Sequence, residues 1–222
     1  MAITIVKHGP LLVTSADISK HRTYPFVSSS DLAPWRSPLS RALHRNRAQP
    51  VCRFLQLATI RPEGSPANRT VVFRGFRQET NQLMFISDRR SEKIVQIRQN
   101  PSAEACWYFT KTREQFRLRG QLMIITADTV AADLGETRRQ LWQKISDSAR
   151  LQFAWPTPKA TRNPDSDAFE APEIDSRTPP DTFCVLLLLP EEVDYLCLRG
   201  EPQDRIIYHL SKESWTVTSV NP

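Results

Sequence analysis

The chain has 222 residues, 40% hydrophobic and 24% charged, with a net charge of +6 and only six glycines. That length suits one sizeable core with embellishments, and the composition is that of an ordinary globular protein rather than a disordered or fibrous one. No apolar run reaches the roughly 18 residues of a membrane span, and so few glycines leave no room for a Rossmann or Walker phosphate loop.

Residues 1–30 pair a short β-prone piece, Ile3 to Val6, with serine- and threonine-rich sequence, and read as an extension outside the domain, which is expected over 31–222. Ser37 as N-cap with Pro38 behind it, then Leu39, Ala42 and Leu43, predicts a helix that Pro50 stops. Cys52 to Ile60 reads as a strand and residues 61–66 as a turn. Arg69 to Arg74 alternates, putting Arg69, Val71 and Phe73 on one face and Thr70, Val72 and Arg74 on the other. After a polar patch comes the apolar run Leu83 to Ile86, and a hairpin is the economical pairing for the two segments.

Ile94, Val95 and Ile97 predict a helix to about Gln99, capped by Asp88 or Ser91. Strands follow from Ala103 to Phe109 and from Thr112 to Thr126, the second with Gln115, Arg117 and Arg119 on one face and Phe116 and Leu118 on the other. Leu134, Leu141, Trp142 and Ile145 form the apolar stripe of a helix over 131–146, and Ser146 caps a short one reaching Gln152. Residues 155–181, rich in proline and acid, read as a long loop, a lid or a connector. Four strand-like segments, 183–189, 193–198, 205–210 and 215–220, close the chain as a meander. The fold class is mainly β with added helices, an antiparallel barrel rather than a βαβ repeat.

Cys52, Cys106, Cys184 and Cys197 form no C-x-x-C pair and read as free thiols in apolar surroundings. His8, His21, His44 and His209 lack ligand spacing, so no metal is expected. The basic residues are scattered, which a small phosphorylated ligand explains as well as a nucleic acid does. Trp107, Tyr108 and Phe109 could stack on bases, but their strand spacing suits a core or a subunit contact better. The N-terminus carries no secretory pattern, so a cytoplasmic location is expected.

Chemistry concentrates between Asn68 and Lys93. A helix N-terminus with Lys93 and several arginines close by favours a phosphate monoester, because orphan amides, helix dipole and side-chain charge act together. The bland alternative is a capped helix with a solvated basic turn.

Three ordered motifs, Arg69-Thr70-Val71-Val72-Phe73-Arg74, Phe85-Ile86-Ser87-Asp88 with Ser91-Glu92-Lys93, and Arg113 to Arg117, together with Asp204-Arg205 and Trp215, resemble the pyridoxamine 5′-phosphate oxidase-related family of FMN-binding split barrels. The resemblance runs from about residue 34 to the C-terminus. It implies a homodimer with FMN at the subunit interface and an oxidoreductase activity. Carried over position by position, it implies cofactor contacts from Arg69, Thr70, Val71, Val72, Arg74, Ile86, Ser87, Ser91 and Lys93, with Gln115, Gln152 and Arg205 supplied by the partner subunit, and Tyr195 near the flavin. The chain departs from the family at Glu92, where a second basic residue is usual, and at Glu201-Pro202-Gln203, where the vitamin-oxidising enzyme has Arg-Leu-His. Pyridoxamine phosphate is therefore an uncertain substrate for it, and a non-catalytic flavin carrier or sensor, or the deazaflavin F420 in place of FMN, are the alternatives. No general acid or base stands out.

Overall fold

A computed structural model describes residues 32–170 and 174–222; the expected extension over 1–30 lies outside them. Helix α1 spans Arg36–Asn46 and strand β1 Phe54–Ile60, with a 3₁₀ turn at Pro50–Arg53 between them. Then follow β2 (Pro66–Val72), β3 (Leu83–Asp88), α2 (Glu92–Gln99), β4 (Ser102–Phe109) and β5 (Glu114–Ile125). Helices α3 (Ala132–Lys144) and α4 (Asp147–Leu151), a second 3₁₀ turn at Ser166–Phe169, and strands β6 (Phe183–Cys197), β7 (Asp204–Ser211) and β8 (Ser214–Val220) complete the order.

All strand pairs are antiparallel, in the order β2-β1-β4-β5-β6-β7-β8, as the alternating segments predict. The hairpin expected between the Arg69 and Leu83 segments is not formed by β2 and β3. Strand β2 pairs with β1, and β3 pairs with β6 from Leu83↔Leu188 to Asp88↔Phe183. The connection, rather than β2, pairs with the start of β3: Phe76 is opposite Leu83, the Arg74 amide donates to the Met84 carbonyl and the Met84 amide to the Gly75 carbonyl, both at 2.9 Å. Strand β6 thus lies between β5 and β3 over its first half and between β5 and β7 over its second, which splits the barrel.

The two segments expected at 183–189 and 193–198 are that one strand. Pro190 does not end it, because the register shifts between Arg119 and Gly120 on β5 and Pro190 sits opposite the glycine. The backbones meet so closely that a Cβ on Gly120 would stand 1.9 Å from the Leu189 carbonyl oxygen. Alternation along β6 feeds two cores. Cys184, Leu186 and Leu188 join α1, α2, β1, β4 and β5 in one; Phe183, Val185 and Leu187 meet Leu141, Trp142 and Phe153 in the other.

Helix α1 starts one residue before Ser37, because fully buried Trp35, wedged against Phe76 and Trp215, already has helical angles. Ser146 accepts from the Ala149 amide at 3.3 Å and caps α4 as expected. In the proline-rich loop, Phe169 packs against Trp155 with Arg162 over its ring, so the segment has some local packing. The cysteines are free, Cys52 and Cys184 buried and the other two half-buried. Among the described residues no helix is long and apolar enough to cross a membrane.

Candidate functional site

Strand β3 ends in a turn that aims three expected residues at one another. Lys93 Nζ donates to Ser87 Oγ and to Ser91 Oγ, both at 3.0 Å, and the two serine oxygens lie 3.2 Å apart. Asp88 shapes the turn by accepting from the Arg90 amide at 2.7 Å and from its guanidinium at 2.6 Å. Arg90 in turn donates to the Trp155 carbonyl, fixing the start of the proline-rich loop beside the turn. Ser91 is the N-cap residue of α2, yet its hydroxyl donates back to the Asp88 carbonyl at 2.7 Å and accepts from Lys93, leaving the first helical amides without a side-chain acceptor.

Arg69 approaches from β2. Its guanidinium donates to the Leu57 carbonyl at 3.1 Å, to Thr59 Oγ1 at 2.6 Å and to Gln96 Oε1 at 2.9 Å. Of five guanidinium N–H groups, these bonds leave two free. Thr59 and Gln96 are both buried and hydrogen-bonded to each other, a polar support that no local motif signals. Glu92, the family departure, faces outward, where Lys159 of the loop pairs with it and Arg61 stands 3.7 Å away.

Burial, then the Arg69 charge, push the Lys93 ammonium below its ordinary range. Burial does the same to Arg69 and Arg74. Arg74 Nε is buried with no hydrogen-bond partner among the described residues. Desolvated cations beside helix amides, one of them holding only hydroxyls, suit a phosphate group.

A lysine whose folded-state pKa is lowered binds fewer protons folded than unfolded, so stability should rise with pH up to the ordinary lysine value. In ligand-free protein this alkaline gain is expected in denaturant titrations as the pH climbs toward about 10.4, the ordinary lysine value, and should be absent from Lys93→Met. Equal slopes in the two proteins would refute it.

Val71 and Val72 on β2 and Ile86 on β3 are half-buried, and Thr70 on β2 is exposed. Gln152 is exposed at the end of α4, next to Phe153, whose carbonyl lies 3.5 Å from Arg90. Gln115 and Arg205 lie elsewhere. They face each other across Leu196 of β6, in the row Gln115↔Leu196↔Arg205. Ser87 pairs with Cys184 at the other end of that strand. From Cys184 to Leu196 is roughly 40 Å of strand at about 3.3 Å per residue.

On this face Arg205 holds Asp194 through two bonds at 3.0 and 2.7 Å, and Arg117 bridges Asp194 and Glu104. Tyr195 points to the opposite side. Its hydroxyl donates to Glu114 Oε1 at 2.9 Å, and burial, then that bond, raise its pKa strongly.

Comparison with known proteins agrees with this architecture. The family model for the pyridoxamine 5′-phosphate oxidase FMN-binding domain matches residues 32–126. Pyridoxine/pyridoxamine 5′-phosphate oxidase 2 of Arabidopsis thaliana is 35% identical over 194 residues, 86% of this chain and 98% of the relative. The crystal structure of a pyridoxamine 5′-phosphate oxidase-related, FMN-binding protein of Nostoc punctiforme superposes with a TM-score of 0.84 at 53% identity, over 86% of this chain and 100% of that one. PhzG of Burkholderia lata shares the fold, with a TM-score of 0.67 at 18% identity over 84% of this chain and 91% of its own. With its antiparallel split barrel and its basic turn at the start of α2, the chain belongs to the pyridoxamine 5′-phosphate oxidase-related family of flavin-binding proteins.

Proposed function

We propose that the protein is an FMN-dependent oxidoreductase that works as a homodimer, each flavin held between two chains. The observation that carries this is the Lys93 ammonium, desolvated beside Arg69 and, among the described residues, bonded only to Ser87 and Ser91. A phosphate dianion relieves that charge. It can accept from Lys93, from the two free N–H groups of Arg69 and from the first amides of α2.

Val71 and Val72 are proposed to line the ring through their backbone, with Ile86 beneath it. Their placement along β6 supports the dimer, since Gln115 and Arg205 lie beside the second half of that strand and the Lys93 turn follows β3 beside the start of its first half. Supplied by the partner subunit, Gln115 donates toward the ring edge, where electron density accumulates on reduction. FMN, when bound, supplies the hydride chemistry; the side chains bind and orient it. Glu201-Pro202-Gln203, in place of the Arg-Leu-His of the vitamin oxidase, supports a substrate other than pyridoxamine phosphate. The same departure favours a flavin carrier as the second reading.

Purified protein should be yellow, should release FMN by mass, and should bleach under an electron donor and recover in air. A colourless protein that takes up no added FMN would sink the proposal, and an extracted mass of F420 would replace the cofactor. Flavin that neither nicotinamides nor pyridoxamine phosphate reduce or oxidise would favour the carrier.

A further inference from the structure

At the C-terminal end of α1 a cavity of about 470 Å³ opens between the helix, the β4–β5 turn and the β6–β7 connection. Its lining is His44, Arg45, Arg47, Lys111, Thr112 and Arg199, four permanent cations and no carboxylate. None of the four joins an ion pair among the described residues. Nine other arginines among the described residues do reach a carboxylate, so the lack of counter-charge around these four exposed cations is a local property.

The walls are fixed from below. Asn46, 1% exposed, donates to the Ala42 carbonyl at 2.8 Å and to Thr112 Oγ1 at 2.9 Å, and accepts from the Lys111 amide at 3.2 Å. Arg199 donates to the Lys111 carbonyl at 2.7 Å, and Arg47 to the His44 carbonyl at 2.9 Å. Neutral carbonyls thus orient two guanidinium groups without discharging them. A helix C-terminus attracts cations, but it offers only about half an elementary charge, far less than four side chains bring.

We propose that this cavity is a binding site for a diphosphate group, separate from the turn at Lys93. Guanidinium forks match phosphate oxygens in pairs, and four cations suit two linked phosphates better than one monoanion. The volume lies within the range of small-ligand pockets. The lining has no Phe, Tyr or Trp ring, the usual platforms for stacked bases, which disfavours single-stranded nucleic acid. The diphosphate is either inorganic pyrophosphate or part of a nucleotide.

Calorimetric titration of the full chain with pyrophosphate, orthophosphate, ADP and a single-stranded oligonucleotide tests this, in wild type, in Lys93→Ala and in Arg45→Gln/Lys111→Gln. The last pair removes two charges whose side chains make no hydrogen bond among the described residues, so the Asn46 clamp is untouched. One pyrophosphate per chain is expected, at least tenfold tighter than orthophosphate, unchanged by Lys93→Ala and weakened at least tenfold by the double change. ADP binding as tightly as pyrophosphate identifies a nucleotide as the source, and pyrophosphate alone identifies the inorganic anion; either supports the site. Absence of saturable uptake, loss on Lys93→Ala, indifference to the double change, or tighter binding of an oligonucleotide overturns it. Flavin binding is not assumed, so the outcome stands apart from that of the FMN proposal.

Discussion

Lys93→Ala protein is expected to bind FMN about 2 to 3 kcal/mol more weakly, the upper range for a hydrogen bond to a charged group, or roughly 30- to 150-fold. Flavin fluorescence quenching on titration measures it. The change removes the ammonium that Ser87 and Ser91 position and leaves both hydroxyls in place, so the fold should be retained. Arg205→Ala is expected to weaken FMN as well, by acting on the partner's site. Mixing the two variants then gives a test that simple loss of binding cannot. A heterodimer with shared sites has one site lacking both groups and one site lacking neither. Tight binding at up to about half of the heterodimer's sites should therefore return after subunit exchange, provided that assembly itself survives. A mixture no better than either variant alone would place the two residues in separate sites. Arg205 also grips Asp194, so Arg205→Lys serves as a milder variant that keeps the charge.

Gly120→Ala should cost about 3 kcal/mol of stability, at the top of the usual range for overpacking, and lower Tm by roughly 6 to 12 °C. The added methyl would lie 1.9 Å from the Leu189 carbonyl oxygen, 2.8 Å from its carbon and 2.9 Å from Pro190 Cα, all backbone atoms. No rotamer change can relieve that contact, so β5 and β6 must separate locally. Gly64, with nothing within 4 Å of an added Cβ, has space for one but holds a positive φ of 88°, so it separates the strain of conformation from that of crowding. A Gly120→Ala protein within about 0.5 kcal/mol of wild type, the ordinary scatter of surface changes, would show that the strands tolerate the methyl group.

The strands were legible because alternation is local. Leu55 and Leu57 in β1, and Phe116 and Leu118 in β5, are all buried, as a period of two requires. The partner of a strand is not local. Pairing β2 with β3 followed from their closeness in sequence, whereas β3 finds β6 about a hundred residues later, where Leu186 and Leu188 extend the same core. Helix α1 was read correctly as a helix but started too late, since packing of Trp35 outweighed the preference of Ser37 for a cap.

At the site, Ser87, Ser91 and Lys93 were accessible because they occupy one turn. Thr59 and Gln96, which hold Arg69, come from two other elements, and nothing in either segment marks them. Glu92 became intelligible only with Lys159 in view, from a loop that sequence reads as unstructured. The basic cavity beside Asn46 left no signal either, because its cations come from three places scattered along the chain.

The first half of β6 also bears on how the chain selects its pairing. Residues from Phe183 to Leu188 are buried on both faces, odd positions in one core and even positions in the other. A slip by one residue would exchange the two sets and still leave apolar groups on both sides, so hydrophobicity discriminates poorly between registers there. Shape has to do it instead. The glycine on β5 is the position that admits the Leu189–Pro190 backbone at such close range, and sliding β6 by one residue would bring that contact against Arg119 or Gln121. Gly120 and Pro190 thus act as a notch and its key, giving a doubly apolar strand one alignment that its side chains alone leave ambiguous.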